Sequence, residues 1–485
     1  MARPLAPLAP LLLAAALAAG CAPLIPPLAL PAAPVPARFP DTPPVAAVPE
    51  AAADLDWPHA FPDAGLQALI AQALVHNRDL RTAALHVQEA RAAWGIQQAA
   101  LLPSVGLATG ASRSRVPADL NVTGKSVIAS QYQVGLGLAD WELDLWGRLR
   151  SLEEAALQAW LASDEARRGL TLSLVTQVAQ GWLALRETDE RLALAREAIA
   201  SRNESLRIFS RRFEVGASSR LELEQVRILA TQARALGAQL EQQRAQQINA
   251  LALLTGAPVD APARDVPLTD AMVADVAPGL PSALLAARPD IAAAEHRLRQ
   301  ANANIGAARA AFFPQLTLTT SLGTASAALD GLFEPGSRAW TFAPSLSLPL
   351  FTAGRLRANL QLSEVRRDIA VADYEKTIQG AFREVTDALA ARQWLAEQLG
   401  IQKEALAAQA ERARLARLRY DAGSAAFLEV LDAQRDLLSA QQQRVQTQRA
   451  LLAARVSLYA ALGGGAHTVA ATPIATSSSP SSSQP

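Results

Sequence analysis

Two hydrophobic periods divide this chain. In four stretches apolar side chains recur at every second position. Val105 and Leu107 alternate with Ser104, Gly106 and Ala108, and Tyr132, Val134, Leu136 and Leu138 alternate with Gln131, Gln133, Gly135 and Gly137. Leu316, Leu318 and Leu322 alternate with Gln315, Thr317, Thr319 and Ser321. Trp340, Phe342, Leu346, Leu348 and Leu350 alternate with Thr341, Ala343, Ser345 and Ser347. A period of two predicts four β-strands, each with one greasy face and one polar or small face. Elsewhere Leu, Ala and Val recur at three- and four-residue spacing between Gln, Arg and Glu, which is the helical period. Two such helices, over 148–212 and 355–419, exceed the usual range of about 8–20 residues. At ~1.5 Å per residue each spans on the order of 100 Å, and the pattern implies coiled-coil-like packing.

These elements come twice. Asn77-Arg78-Asp79-Leu80 opens a helix closed by Leu101-Leu102-Pro103, as Arg288-Pro289-Asp290-Ile291 opens one closed by Phe312-Phe313-Pro314. Gly147-Arg148-Leu149-Arg150 corresponds to Gly354-Arg355-Leu356-Arg357. Arg212-Phe213-Glu214-Val215-Gly216 with Leu221-Glu222 corresponds to Arg419-Tyr420-Asp421-Ala422-Gly423 with Leu428-Glu429. Both halves later reach a closing glycine, Gly256 and Gly463. The expectation is an internal duplication, each half reading helix, strand, loop, strand, long helix, turn, helix. The expected division is a signal peptide at 1–20, an N-terminal linker at 21–62, a first repeat at 63–258, a connecting segment at 259–280, a second repeat at 281–465 and a disordered tail at 466–485.

Two environments suit strands of this kind: a soluble sheet with its apolar face on a core, or a membrane barrel that is greasy outside and polar inside. Lengths near ten residues and aromatic residues near strand ends (Tyr132, Trp340, Phe351) favour the barrel. Four strands do not close a barrel, since the smallest use about eight. The free edges therefore predict an oligomer of identical chains, whose number the strands do not fix.

Composition narrows the chemistry. Of 485 residues, 45 are Lys or Arg and 45 are Asp or Glu, so the net charge is zero and nucleic acid is not an expected partner. One Cys excludes a disulfide framework or a zinc–thiolate cluster. No phosphate loop, nucleophile elbow or catalytic triad is present, so no enzyme activity, catalytic residue, metal site or cofactor is expected. Asp140, Glu142 and Asp144 are spaced to share one face of an extended chain, and are read as polar residues near the strand–helix transition. Glu295-His296 matches no metal signature and is read as structural or exposed.

The N-terminus reads as an address. Arg3 precedes the apolar stretch Leu11–Leu17, the small residues Ala18-Ala19-Gly20, and then Cys21. This run resembles a bacterial lipoprotein signal, although Ala18 stands where Leu is favoured. The resemblance implies cleavage before Cys21 and acylation of that residue. Ala22, in place of Asp, implies the outer membrane.

From Cys21 to Gly465 the chain resembles the outer membrane factor (TolC-like) family, in its lipoprotein efflux-channel subgroup. The motifs that carry the resemblance are Arg288-Pro289-Asp290-Ile291, Phe312-Phe313-Pro314, Leu350-Phe351-Thr352-Ala353-Gly354-Arg355, Leu431-Asp432-Ala433-Gln434-Arg435 and Tyr459-Ala460-Ala461-Leu462-Gly463-Gly464-Gly465. The implied fold is mainly α with β, with long helices forming a periplasmic α-barrel. Four strands per chain would enter a homotrimeric, twelve-stranded outer-membrane β-barrel. The implied function is a passive, gated conduit for small molecules such as drugs, toxic compounds or metal ions. Its implied partners are a periplasmic adaptor protein, an inner-membrane pump of the resistance-nodulation-division class, and outer-membrane lipid. Arg419, Tyr420, Asp432 and Arg435 are the implied periplasmic gate, with Asp432 supplying a carboxylate ring. The turns at Gly216 and Gly423 are the implied adaptor contacts. Type I protein secretion and a lipid-tethered periplasmic coiled-coil scaffold are the alternatives, and an envelope hydrolase is a more distant one.

Overall fold

The computed structural model describes residues 23–39, 55–259, 266–277 and 281–465. The expected signal peptide, Cys21 and the tail from residue 466 lie outside the described residues. In chain order the helices are α1 (Trp57–Ala60), α2 (Ala64–His76), α3 (Arg78–Ala99), α4 (Arg148–Glu214), α5 (Arg220–Thr255), α6 (Pro281–Ala287), α7 (Pro289–Ala310), α8 (Arg355–Asp421) and α9 (Phe427–Ala461). The strands are β1 (Val105–Val116), β2 (Val127–Leu143), β3 (Gln315–Ser326) and β4 (Arg338–Ser347). Helices α4 and α8 have 67 residues each, and α3 and α7 have 22 each.

The chain packs as two units. Of the described residues, one holds 23–32, 86–163 and 293–375, and the other holds those within 33–85, 164–292 and 376–465.

The first unit contains one antiparallel sheet in the order β1-β2-β3-β4. Its register separates two kinds of side chain. Leu107, Leu136, Leu322 and Trp340 stand in one cross-strand row, and all four are exposed. The next row, on the opposite face, is Ala108, Gly135, Gly323 and Ala339. A Cβ at Gly323 would collide with the backbone of Val134 and Gly135, so this row needs glycine where β2 meets β3.

Three sequence expectations change here. The first strand continues to Val116, well past the apolar alternation. The fourth ends at Ser347, so Leu348 and Leu350 lie outside it. Ser347 already pairs with Gln315, the first residue of β3, and Pro349 has no N–H for a longer ladder. Finally, the carboxylates of 140–144 do not share a face. One extra residue is inserted in β2 between Leu138 and Trp141, with Asp140 at φ 49°. The bulge is held by Thr319, whose Oγ1 accepts from the Asp140 N–H at 3.2 Å. It puts Trp141 on the face of Leu138 and turns Glu142 to the other.

Within the expected linker, the described residues Pro23, Ile25 and Pro26 are packed within the first unit. Pro26 O accepts from Asn302 Nδ2 at 2.8 Å, and the backbones of Gly147 and Gly306 lie against Pro23 and Ile25.

In the second unit Phe61 packs edge-on against Tyr459, with ring centroids 5.3 Å apart. The Tyr459 hydroxyl donates to Leu55 O at 3.0 Å, and burial pushes its pKa up. Asn77 starts α3 by accepting from the Leu80 N–H, and donates to Leu254 O, each at 2.8 Å. In the other half Arg288 holds the corresponding corner. Its guanidinium pairs with Asp290 and Glu384, each at 2.7 Å, and donates to Ala461 O at 2.9 Å. The closing glycines are also equivalent. Gly256 (φ 68°) lies against the carbonyl of His76, and Gly463 (φ 77°) against that of Ala287. No side chain fits either place.

Candidate functional site

The two turns that join the long helices to their partners are packed together within the second unit. Phe209 from α4, Leu223 and Val226 from α5, Ala416 from α8, and Phe427, Val430, Leu431 and Ala433 from α9 form one buried cluster. The Phe209 and Phe427 rings are 4.4 Å apart, and Tyr420 covers Phe427 at 4.8 Å. Arg212 lies over the Phe209 ring and donates to the Tyr420 hydroxyl at 2.5 Å. This hydrogen bond, beside the ring contact, joins the turn of one half to the turn of the other.

Both turns leave their long helix through a left-handed glycine, Gly216 at φ 74° and Gly423 at φ 72°. They differ at the next helix start. Ser219 caps α5 with a full capping box: its Oγ accepts from the Glu222 N–H at 3.2 Å, and Glu222 accepts from the Ser219 N–H at 2.9 Å. The Ser219 N–H, followed by the Ser218 hydroxyl, holds the Glu222 carboxyl below its usual range. The corresponding cap of α9 is Ala426, which offers no side-chain acceptor. Glu429, the counterpart of Glu222, instead takes Arg419 at 2.6 Å. Further along α9, Arg435 pairs with Asp432 at 3.2 Å and with Asp436 at 3.0 Å. Asp436 also takes Arg412 at 2.7 Å, and Arg412 and then Arg435 hold its carboxyl low.

In the first unit, the strand–helix junction uses the three carboxylates separately. Glu142 pairs with Arg148 at 2.6 Å. Asp144 accepts from the Leu149 and Arg150 N–H groups, each at 3.0 Å, and so caps the start of α4. Asp140 stays in the bulge. Trp146 stacks on Phe313 at 4.7 Å and donates to Pro314 O at 2.9 Å, which gives the Phe312-Phe313-Pro314 motif its local role. His296 faces Gln158 at 2.6 Å, and burial lowers its pKa. Among the described residues no three His, Cys, Asp or Glu side chains are grouped to hold a metal. No described helix is long and apolar enough to cross a membrane, which says nothing of a β-barrel.

This geometry has close counterparts. The profile of the family described as Outer membrane efflux protein matches residues 69–257 and again 280–464. The toluene efflux pump outer membrane protein TtgF of Pseudomonas putida is 49% identical over 424 residues, spanning 87% of this chain and 88% of its own. The antibiotic efflux pump outer membrane protein ArpC of Pseudomonas putida is 45% identical over 417 residues, 86% of each chain. The solved open state of the MtrE outer membrane channel of Neisseria gonorrhoeae superposes with a TM-score of 0.83 at 38% identity, covering 92% of this chain and 98% of that one. The chain belongs to the outer membrane efflux protein family.

As an outer membrane efflux protein it is a transport component and not an enzyme, and its long helices and four antiparallel strands are those of the solved channels. Family membership also sets aside the hydrolase and scaffold readings, and favours efflux over protein secretion. Of the residues singled out as a gate, Arg435 and Asp432 are brought together. Tyr420 meets Arg212, and Arg419 meets Glu429. Among the described residues no hydrogen bond or ion pair joins Arg419 or Tyr420 to Asp432 or Arg435. Sequence reasoning missed Arg412 and Asp436, and used Glu429 only to set the repeat register. The signal for Asp436 was its place one helical turn after Asp432, on the same side of α9.

Proposed function

We propose that three copies of this efflux protein, the number the family resemblance implies, close their sheets edge to edge into a twelve-stranded outer-membrane barrel. In this reading the long helices continue as a periplasmic duct. The observation that carries it is the sheet itself. β1 and β4, of twelve and ten residues, are the outer strands of the sheet and their outer edges have no partner strand among the described residues, and the apolar row on one face is exposed. In water such edges and such a face are a liability. In a closed barrel the edges pair, the Leu107–Trp340 row meets lipid, and the Ala108–Ala339 row faces the lumen.

The duct takes cargo from a periplasmic adaptor and a resistance-nodulation-division pump, with the turns at Gly216 and Gly423 as the docking points. The names of the relatives bring toluene and antibiotics to this chain as classes of cargo. Acyl chains on Cys21 add a lipid anchor. At the turns, Asp432 narrows the passage, and Arg419, Tyr420 and Arg435 hold the helices closed until adaptor contact favours the open form. Single-channel recording in planar bilayers tests this reading. Discrete conductance steps from the purified protein are expected, and a folded multimer that never conducts would oppose it.

A further inference from the structure

The sheet register places three arginines on the face assigned to lipid. Arg113 lies opposite Ser130 and Arg115 opposite Ile128, on the same side of β1 as Val105 and Leu107. Arg338 lies opposite Thr324, on the same side of β4 as Trp340 and Phe342. All three are exposed, and none of their guanidinium groups has an ion-pair or hydrogen-bond partner among the described residues. All three lie toward the strand ends that adjoin the β1–β2 and β3–β4 connections, away from the ends that lead into the helices. Arg113 is six positions beyond Leu107, about 20 Å further along the strand. The carboxylates of this end, Asp119, Asp330 and Glu334, lie in the connections and not in the strands, and Lys125 is there as well.

An unpaired guanidinium is costly on a barrel's lipid face at mid-bilayer and cheap at the interface. These side chains therefore belong at headgroup level. With the helices on the periplasmic side, that level is the outer leaflet. The strongly anionic headgroup there is the phosphorylated glucosamine of lipid A, and phosphate accepts the planar guanidinium fork in two parallel hydrogen bonds. We propose that Arg113, Arg115 and Arg338 form a cationic rim that binds the phosphates of lipopolysaccharide. The rim rests on the barrel reading above, and it adds a lipid-binding surface separate from the duct and the turns.

The test is native mass spectrometry of the full-length protein in detergent, titrated with bis-phosphorylated lipid A or with its dephosphorylated form. R113Q/R115Q/R338Q and R113K/R115K/R338K are compared with wild type. The wild type is expected to retain phosphorylated lipid A at least about ten-fold better than the glutamine variant, with the lysine variant between them. Removal of the phosphates should abolish the difference. Equal retention by wild type and glutamine variant, or indifference to the phosphates, would overturn the rim. Full displacement by millimolar inorganic phosphate would also overturn it, by reducing it to a general anion site. Conductance of the same wild-type preparation separates the two claims. A conducting protein that ignores lipid A loses the rim alone, whereas a protein that neither conducts nor forms a detergent-resistant multimer loses the barrel and the rim together. If the glutamine variant does not fold, the salt dependence of wild-type binding decides: affinity falling with salt supports the rim, and salt-independent binding overturns it.

Discussion

Arg419 and Glu429 are paired at 2.6 Å across the second turn, whereas the corresponding carboxylate of the first turn, Glu222, is turned back onto its own helix start. The difference follows from one residue. Ser219 completes a capping box, and Ala426 has no oxygen with which to do so. Glu429 is left free to reach Arg419. The second turn is thus tied by a half-exposed ion pair, an interaction worth little in water and easily exchanged.

Ala426→Ser is expected to restore the cap and to stabilise the start of α9 by about 1 kcal/mol. Hydrogen exchange at residues 427–430 measures this. Slower exchange there, with the first turn unchanged, is the expected result, and unaltered exchange would show that the missing cap is not what leaves this turn open.

Tyr420→Phe keeps the ring on Phe427 and removes only the acceptor of the Arg212 hydrogen bond. A hydrogen bond to a charged group contributes roughly 1.5–3 kcal/mol when shielded, and the solvent exposure of this one puts it at the low end or below. Single-channel recording should show more frequent opening with unchanged maximal conductance. Asp432→Ala, by contrast, should raise the conductance itself, and an unchanged value would remove Asp432 from the constriction.

Acid acts on the same turns. The carboxyls of Glu222 and Asp436 titrate below their ordinary values, because Ser219 and Ser218 hold the first and Arg412 and Arg435 the second. A depressed carboxylate pKa contributes stability that is complete above the unfolded value and is lost as pH falls through the folded one. Both turns should therefore loosen only below about pH 4, the unfolded range. Glu222→Gln should remove the acid step at the first turn, read by limited proteolysis between Gly216 and Leu221. Loosening near neutral pH would contradict the assignment.

Much of the architecture was legible in the sequence because it is periodic. The long helices expected to end at 212 and 419 end at Glu214 and Asp421. What periodicity could not show are partners far apart in the chain. Arg212 and Tyr420 are 208 positions apart, and the bulge at Asp140 needs Thr319 from another strand. The outer half of β1, Thr109–Val116, carries Gly, Ser and Arg in place of apolar residues, so it reads as a loop until β2 is laid beside it. The cap difference was legible in principle, since Ser219 and Ala426 hold matching places in the two halves.

Arg288 gives a stability test away from the passage. Its guanidinium is buried against Asp290, Glu384 and Ala461 O, but both carboxylates are about half exposed. Arg288→Ala is expected to cost about 2 kcal/mol, less than the 3–5 kcal/mol of a fully buried pair, because the carboxylates recover solvent. A chemical-denaturation midpoint unchanged from wild type would show that this corner does not support the fold.

The central claim is that the two free sheet edges pair between copies of the chain. Single cysteines along β1 (Leu107, Thr109, Ala111) combined with single cysteines along β4 (Trp340, Phe342) test it directly, by oxidation in outer membranes followed by non-reducing electrophoresis. At least one combination should yield a covalent trimer that collapses to monomer on reduction. Oxidised membranes in which every combination remains monomeric, or is linked only within one chain, would contradict the account.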